Sequence, residues 1–265
     1  FLYMAYVMNA VYSERTIRPA ETVVMVCAGV FMSAFKGGIY IPLLLLLFMI
    51  PKRNFGEKVK YPVVVASAIL LAVVTFAAVN SNIFKDVSSS TSGSENELMW
   101  TESEGFTLRR MFTHPKEALC MLFNTFFLMG GTHYAEMFAS GFGWLQIYTS
   151  GFLTAGFTVL MVLTLLNCEG REICFNKKQR IISLSAAAVS IFIIVISMWI
   201  FWTPAGSAHI VGLQGRYFIP LLFCAVYPLK NSRCIIKKDI GGGIIFAAVM
   251  FHALTFWEIY IRMAV

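Results

Sequence analysis

The sequence predicts an all-α, polytopic transmembrane helical bundle, and three observations carry that reading. Hydrophobic residues make up 58% of the chain and charged residues only 13%, against about 25% charged in an ordinary soluble domain, and the mean hydropathy is +0.73. Apolar runs at 61–80, 146–167, 181–202 and 240–260 reach or approach the ~20 residues that cross a hydrocarbon core. None of these runs alternates polar with apolar residues. That excludes a β-barrel and leaves helices, since lipid offers no partner for open backbone.

Residues 1–265 read as one transmembrane domain. The opening stretch FLYMAYVMNAVYSERTIRP has neither a basic n-region nor a small-residue cleavage site. Residues 1–12 read as the tail of an earlier span, so further chain is expected upstream and this is taken as a C-terminal part. Next, Arg15 and Arg18 precede the apolar stretch 21–50 and Lys52 and Arg53 follow it, which places both ends on one side of the membrane. Lys36-Gly37-Gly38 is its polar interruption and leaves two arms that are each short for a ~30 Å core. The stretch is therefore expected to be a hairpin turning at Lys36. The lysine either faces a wet cavity or snorkels from a helix end.

Orientation follows from charge. The formal net charge of +7 is gathered into short clusters between apolar runs, the pattern of membrane insertion rather than of a nucleic-acid surface. Lys52, Arg53, Lys58 and Lys60 form one cluster; Arg171, Lys177, Lys178 and Arg180 a second; Lys230, Arg233, Lys237 and Lys238 a third. The positive-inside rule makes these loops cytoplasmic. Residues 81–112, with Asp86, Glu95, Glu97, Glu102 and Glu104 around a Ser/Thr/Gly-rich centre, become the extracytoplasmic loop. The parity closes with spans at 61–80, 146–167, 181–202, 216–229 and 240–260. A Ser90→Cys variant is accordingly expected to react with an impermeant maleimide in intact cells; reaction only after permeabilisation would reverse the whole orientation.

Cys168, Cys174 and Cys234 fall in the expected cytoplasmic loops and Cys27, Cys120 and Cys224 in apolar surroundings, so no disulfide framework is indicated. The Cys168–Cys174 spacing does not match a standard zinc pair. No Walker loop, dinucleotide-binding glycine pattern or G-x-S-x-G elbow occurs, and no cofactor is expected, although a divalent metal stays open.

Several residues are candidates for chemistry. His133 and Glu136 are three apart and share a helix face, as a metal pair or a hydrogen-bonded structural pair would. They follow the apolar segment 117–130, which begins and ends on the outer side and so re-enters or lies along the interface. His252 and Glu258 lie on nearly opposite faces of one helix, and Glu258, beside Trp257 and Tyr260, reads as an interfacial belt residue. The connection TPAGSAHIVGLQGRYFIP, 203–220, is too long for a tight link and too apolar for a solvated loop, so it is expected to fold into the outer face. Arg216 then opens the returning helix, where free N–H donors add positive potential. With Gln214, Tyr217 and His209 it could grip a phosphate through a forked contact; otherwise it binds lipid headgroups or the carbonyls of a neighbouring helix.

The TPAGS segment followed by GLQGRYFIPL resembles the C-terminal signature, GxQGRYFxP, of a large uncharacterised family of bacterial polytopic membrane proteins. That family looks related to the GT-C glycosyltransferases, and the Lys36 hairpin and the basic clusters extend the likeness over most of the chain. The resemblance implies a GT-C-like bundle with short re-entrant or interfacial helices in the bacterial cytoplasmic membrane. It implies an enzyme that takes a polyprenyl-phosphate-linked sugar at the outer face and passes it to a polysaccharide or lipid acceptor in envelope assembly. GT-C enzymes carry their catalytic acid in a first outer loop, which here would lie upstream of Phe1, so no residue of this chain inherits that role. Arg216 and Lys36 are the expected cationic groups for the lipid phosphate. A transporter or flippase of envelope precursors and a non-catalytic membrane scaffold are the alternatives.

Overall fold

The computed structural model describes residues 1–13, 15–34, 38–55, 60–79, 105–138, 140–143, 146–168, 173–231 and 233–264. In chain order its α-helices are α1 (Leu2–Tyr12), α2 (Pro19–Ala34), α3 (Tyr61–Val79), α4 (Leu108–Thr113), α5 (Pro115–Phe123), α6 (Gly130–Phe138), α7 (Gly151–Leu166), α8 (Lys177–Trp202), α9 (Ile219–Val226) and α10 (Gly241–Ala264). No β-strand occurs among the described residues. The chain divides into two compact units, Phe1–Met121 with Asn176–Gly212 and Leu122–Phe175 with Leu213–Val265.

In the first unit α2 packs on α3, while α8 packs along a 3-10 helix at Ile41–Met49. The buried faces include small side chains, Ala68 and Ala72 on α3 and Ser183, Ala186, Ala187 and Ser190 on α8, beside larger ones such as Val64, Ile194 and Trp199. Lipid tails are as apolar as leucine, so helices in a bilayer associate through close backbone approach, which small residues allow. The opposite faces carry exposed Val63, Leu70, Val74, Ile181 and Phe192, suited to hydrocarbon.

Two helical arms flank the position of the expected turn. α2 stops at Ala34 and the chain resumes at Gly38, whose φ of +73° is left-handed. No single helix runs through the stretch. A Cβ on Gly29 of α2 would come within 2.7 Å of the Leu44 side chain, which shows how closely the two arms pack. The second arm is a nine-residue 3-10 helix rather than an α-helix. At about 2 Å per residue it reaches roughly 18 Å, where an α-helix of that length would reach about 14 Å. The turn itself, including Lys36, lies outside the described residues.

In the second unit α7 packs on α10, and Gly156 is a point of close approach, since a Cβ there would meet the Phe251 ring, which Phe152 and Phe157 also contact. α10 is otherwise nearly bare, with Ile245, Phe246, Val249, Phe256 and Trp257 exposed, a patch that fits lipid and would be a liability in water. Glu258 is more than a belt residue. Its carboxylate accepts from the Ser150 N–H at 2.8 Å and the Ser150 hydroxyl at 3.0 Å, capping the start of α7, while Arg262 ion-pairs with it at 2.8 Å.

Among the described residues three helices, α3, α8 and α10, are long and apolar enough to cross a membrane. Two expected spans are shorter than the sequence suggests. The run 146–167 loses its first residues to a turn that pairs Phe142 with Ile147, beside Gly141 and Gly143 at positive φ, leaving 16 residues in α7. The 216–229 run is helical but broken into a 3-10 turn (Gly215–Phe218), α9 and a second 3-10 turn (Tyr227–Leu229). Prolines at 220 and 228, each lacking an N–H, sit at the starts of the last two pieces. Part of the second basic cluster is also not loop. Lys177, Lys178 and Arg180 form the first turn of α8, opposed to its dipole, and a capping box between Asn176 and Gln179 secures that end. The third cluster precedes Asp239, which the Gly241 N–H and then the Asn167 amide hold below the usual carboxylate range.

The 81–112 loop is described only from Gly105. There the Phe106 N–H bonds to the Thr203 carbonyl at 2.9 Å, and the Phe106 ring, fully buried, lies 5.4 Å from Trp199. α5 leads into a π-helical turn, Asn124–Leu128. Leu119, Phe123, Phe126, Phe127 and Leu128 are exposed around it.

Candidate functional site: the clamped Gln214–Tyr217 turn

The GLQGRYFIP motif becomes a loop followed by a tight 3-10 turn, Gly215–Phe218. Two glycines serve different needs. Gly212 has a φ of +80°, which a side chain disfavours. Gly215 is required by proximity instead, since a Cβ there would lie 1.9 Å from the His133 carbonyl oxygen and 2.7 Å from the Glu136 Cβ. The motif therefore rests directly on α6.

Glu136 holds it there. This carboxylate is buried, with its side chain 5% exposed, and Oε2 accepts the Gly215 N–H at 2.6 Å. A charge-assisted bond of this kind, in surroundings of low dielectric, is among the stronger backbone anchors available. His133 Nδ1 lies 3.5 Å from the same oxygen, at the outer edge of hydrogen-bonding reach. Among the described residues no group of three potential metal ligands occurs. His133 Nε2 is buried without a hydrogen-bond partner. One turn away the Tyr134 hydroxyl bonds Thr158 at 2.8 Å, fixing α6 on α7.

Arg216 follows the clamp and is exposed. Its Nε donates to the Gln214 side-chain oxygen, and Tyr217 offers its hydroxyl within bonding reach of the guanidinium. Among the described residues no carboxylate pairs with Arg216. The three candidates Gln214, Arg216 and Tyr217 are thus brought together, and the guanidinium is left without an ion pair among the described residues. Such a group can take an anionic oxygen through two parallel N–H donors.

His209 is half-buried and belongs to the first unit, where Thr203 organises its loop by accepting the Val211 N–H at 3.1 Å and donating to the Met198 carbonyl. Lys36 lies outside the described residues. The residue that sequence reasoning did not connect to the motif is Glu136, 79 positions away. The available signals were an acidic residue amid apolar chain, costly in a membrane unless partnered, and a motif glycine with no turn type to explain it.

No curated protein and no solved structure matches the chain. A family model described as a predicted membrane protein, DUF2142, matches residues 1–225, a stretch that includes both Glu136 and the clamped turn. With most of its length inside that match, the chain belongs to the DUF2142 family of predicted membrane proteins.

Proposed function

We propose that this chain is the membrane part of a glycosyltransferase-like protein that binds a polyprenyl-phosphate-linked sugar at the outer membrane face and acts in envelope polysaccharide assembly. The observation that carries the reading is Arg216: an exposed guanidinium without an acidic partner among the described residues, backed by Gln214 and Tyr217 and set on a turn locked by Glu136. A lipid-linked sugar phosphate needs a fixed cation at the interface, because its phosphate becomes the leaving group and its charge must be stabilised. Arg216 supplies that charge. In an inverting transfer a carboxylate would also take the proton from the acceptor hydroxyl. Glu136 is a poor fit to that task, being buried and already bonded to Gly215, so no base is assigned among the described residues.

Substitution of Arg216 tests this. Arg216→Lys keeps charge without the planar fork, and Arg216→Ala removes both, so polyprenyl-phosphate binding by the full-length protein in nanodiscs should weaken in the first and weaken further in the second. A lost hydrogen bond to a charged group, at about 1.5–3 kcal/mol, corresponds to roughly ten- to a hundredfold in affinity. Melting temperature should hardly move. Unchanged affinity with a lowered melting temperature would make Arg216 a structural residue.

Transport of the same precursors is a second reading, favoured by the interrupted helices at Pro19–Met49, Pro115–Phe138 and Gly215–Leu229. Transporters place ligands where helices break. Translocation of a fluorescent polyprenyl phosphate across proteoliposomes, without sugar transfer, would select it.

A further inference from the structure

A second polar site lies in the first unit, on the side that the basic clusters make cytoplasmic. The loop after α1 and the short 3-10 turn Lys52–Asn54 enclose a cleft of about 340 Å3 lined by Arg15, Thr16, Arg53 and Asn54. Its walls are fixed. The Asn54 side chain donates to the Ala10 carbonyl at 2.7 Å and the Ser13 carbonyl at 3.2 Å, and the Ile17 N–H donates to the Asn54 carbonyl at 2.8 Å. These bonds join the two arginine-bearing segments before any ligand arrives.

The two arginines differ. Arg15 gives both terminal nitrogens to Glu21 in a forked ion pair, which holds its guanidinium in place and leaves other N–H donors over. Arg53 is exposed and has no ion pair among the described residues. Even with Glu14 and Glu21 counted, segments 13–21 and 51–54 carry four cations (Arg15, Arg18, Lys52, Arg53) against two anions, a net of +2. Basic residues that only set orientation need no cleft and no buried asparagine to shape one. We propose that this cleft binds a phosphate-bearing anion, with the Arg53 fork and the Thr16 hydroxyl as the contacting groups and Arg15 as a fixed neighbouring charge. The chemistry is that of a phosphate monoanion or diester, supplied either by the headgroup of an anionic lipid or by free phosphate.

The experiment measures binding to the full-length protein of two probes, phosphatidylglycerol in phosphatidylcholine nanodiscs and inorganic phosphate in detergent, read by thermal shift and by native mass spectrometry. Arg53→Gln and Arg53→Lys are compared with the parent. The proposal expects the parent to bind at least one probe, Arg53→Gln to weaken that binding about tenfold, and Arg53→Lys to fall between them, all three melting alike in pure phosphatidylcholine. Binding of phosphatidylglycerol alone identifies a headgroup site; binding of both probes identifies a site for phosphate itself. Equal binding by all three proteins, or no binding by the parent, overturns the proposal. Should Arg53→Gln fail to fold, Thr16→Val provides the same comparison.

Discussion

Replacing Gly215 with alanine is expected to destabilise the second unit by at least about 3 kcal/mol, the upper range of overpacking penalties. The added Cβ would sit 1.9 Å from the His133 carbonyl oxygen, a backbone atom that no rotamer change can move, and 2.7 Å from the Glu136 Cβ. The turn must leave α6, and the Gly215 N–H then loses the Glu136 carboxylate. Melting temperature should fall on the order of 10 °C. Gly206→Ala is the control: Gly206 has a φ of +87° but nothing within 4 Å of its would-be Cβ. It should cost only about 1–2 kcal/mol, the penalty for left-handed backbone. A circular-dichroism melt of both variants in the same detergent checks the contrast. Equal losses would mean that closeness to α6 is not what Gly215 is for.

Glu136→Leu should be nearly as damaging by a different route. It leaves the Gly215 N–H buried without an acceptor, at about 1–3 kcal/mol, and removes the partner of His133. Glu136→Gln retains an acceptor oxygen of the same reach, so it should recover most of the stability. The comparison also separates anchoring from chemistry, because a stable Glu136→Gln protein that nonetheless loses sugar transfer would assign the carboxylate a part in the reaction. If the glutamine variant instead melts like the leucine one, the negative charge itself holds the turn.

These two residues also mark what the sequence could and could not reveal. Long apolar helices were legible, because twenty apolar residues in a row have few other homes, and α3, α8 and α10 lie where the hydropathy puts them. The motif around Arg216 was legible as a cluster of polar residues between apolar helices. Its support was not, since the Glu136 to Gly215 bond joins positions 79 apart and leaves no periodic trace. Local departures escaped for a related reason. A 3-10 geometry for IPLLLLLFM at Ile41–Met49 and the late start of α7 are set by packing on neighbouring helices and by the Ser150–Glu258 cap, which composition does not encode.

Arg216 is expected to meet the phosphate of a lipid carrier, and cross-linking tests that contact. A polyprenyl phosphate bearing a photoreactive group beside its phosphate, irradiated with the full-length protein in nanodiscs, should mark the peptide that contains Gln214–Tyr217. Unlabelled polyprenyl phosphate should compete the adduct away, and Arg216→Ala should abolish it without changing the melting temperature. An adduct that persists in Arg216→Ala, or that maps only to other segments, would mean that Arg216 does not hold the lipid phosphate.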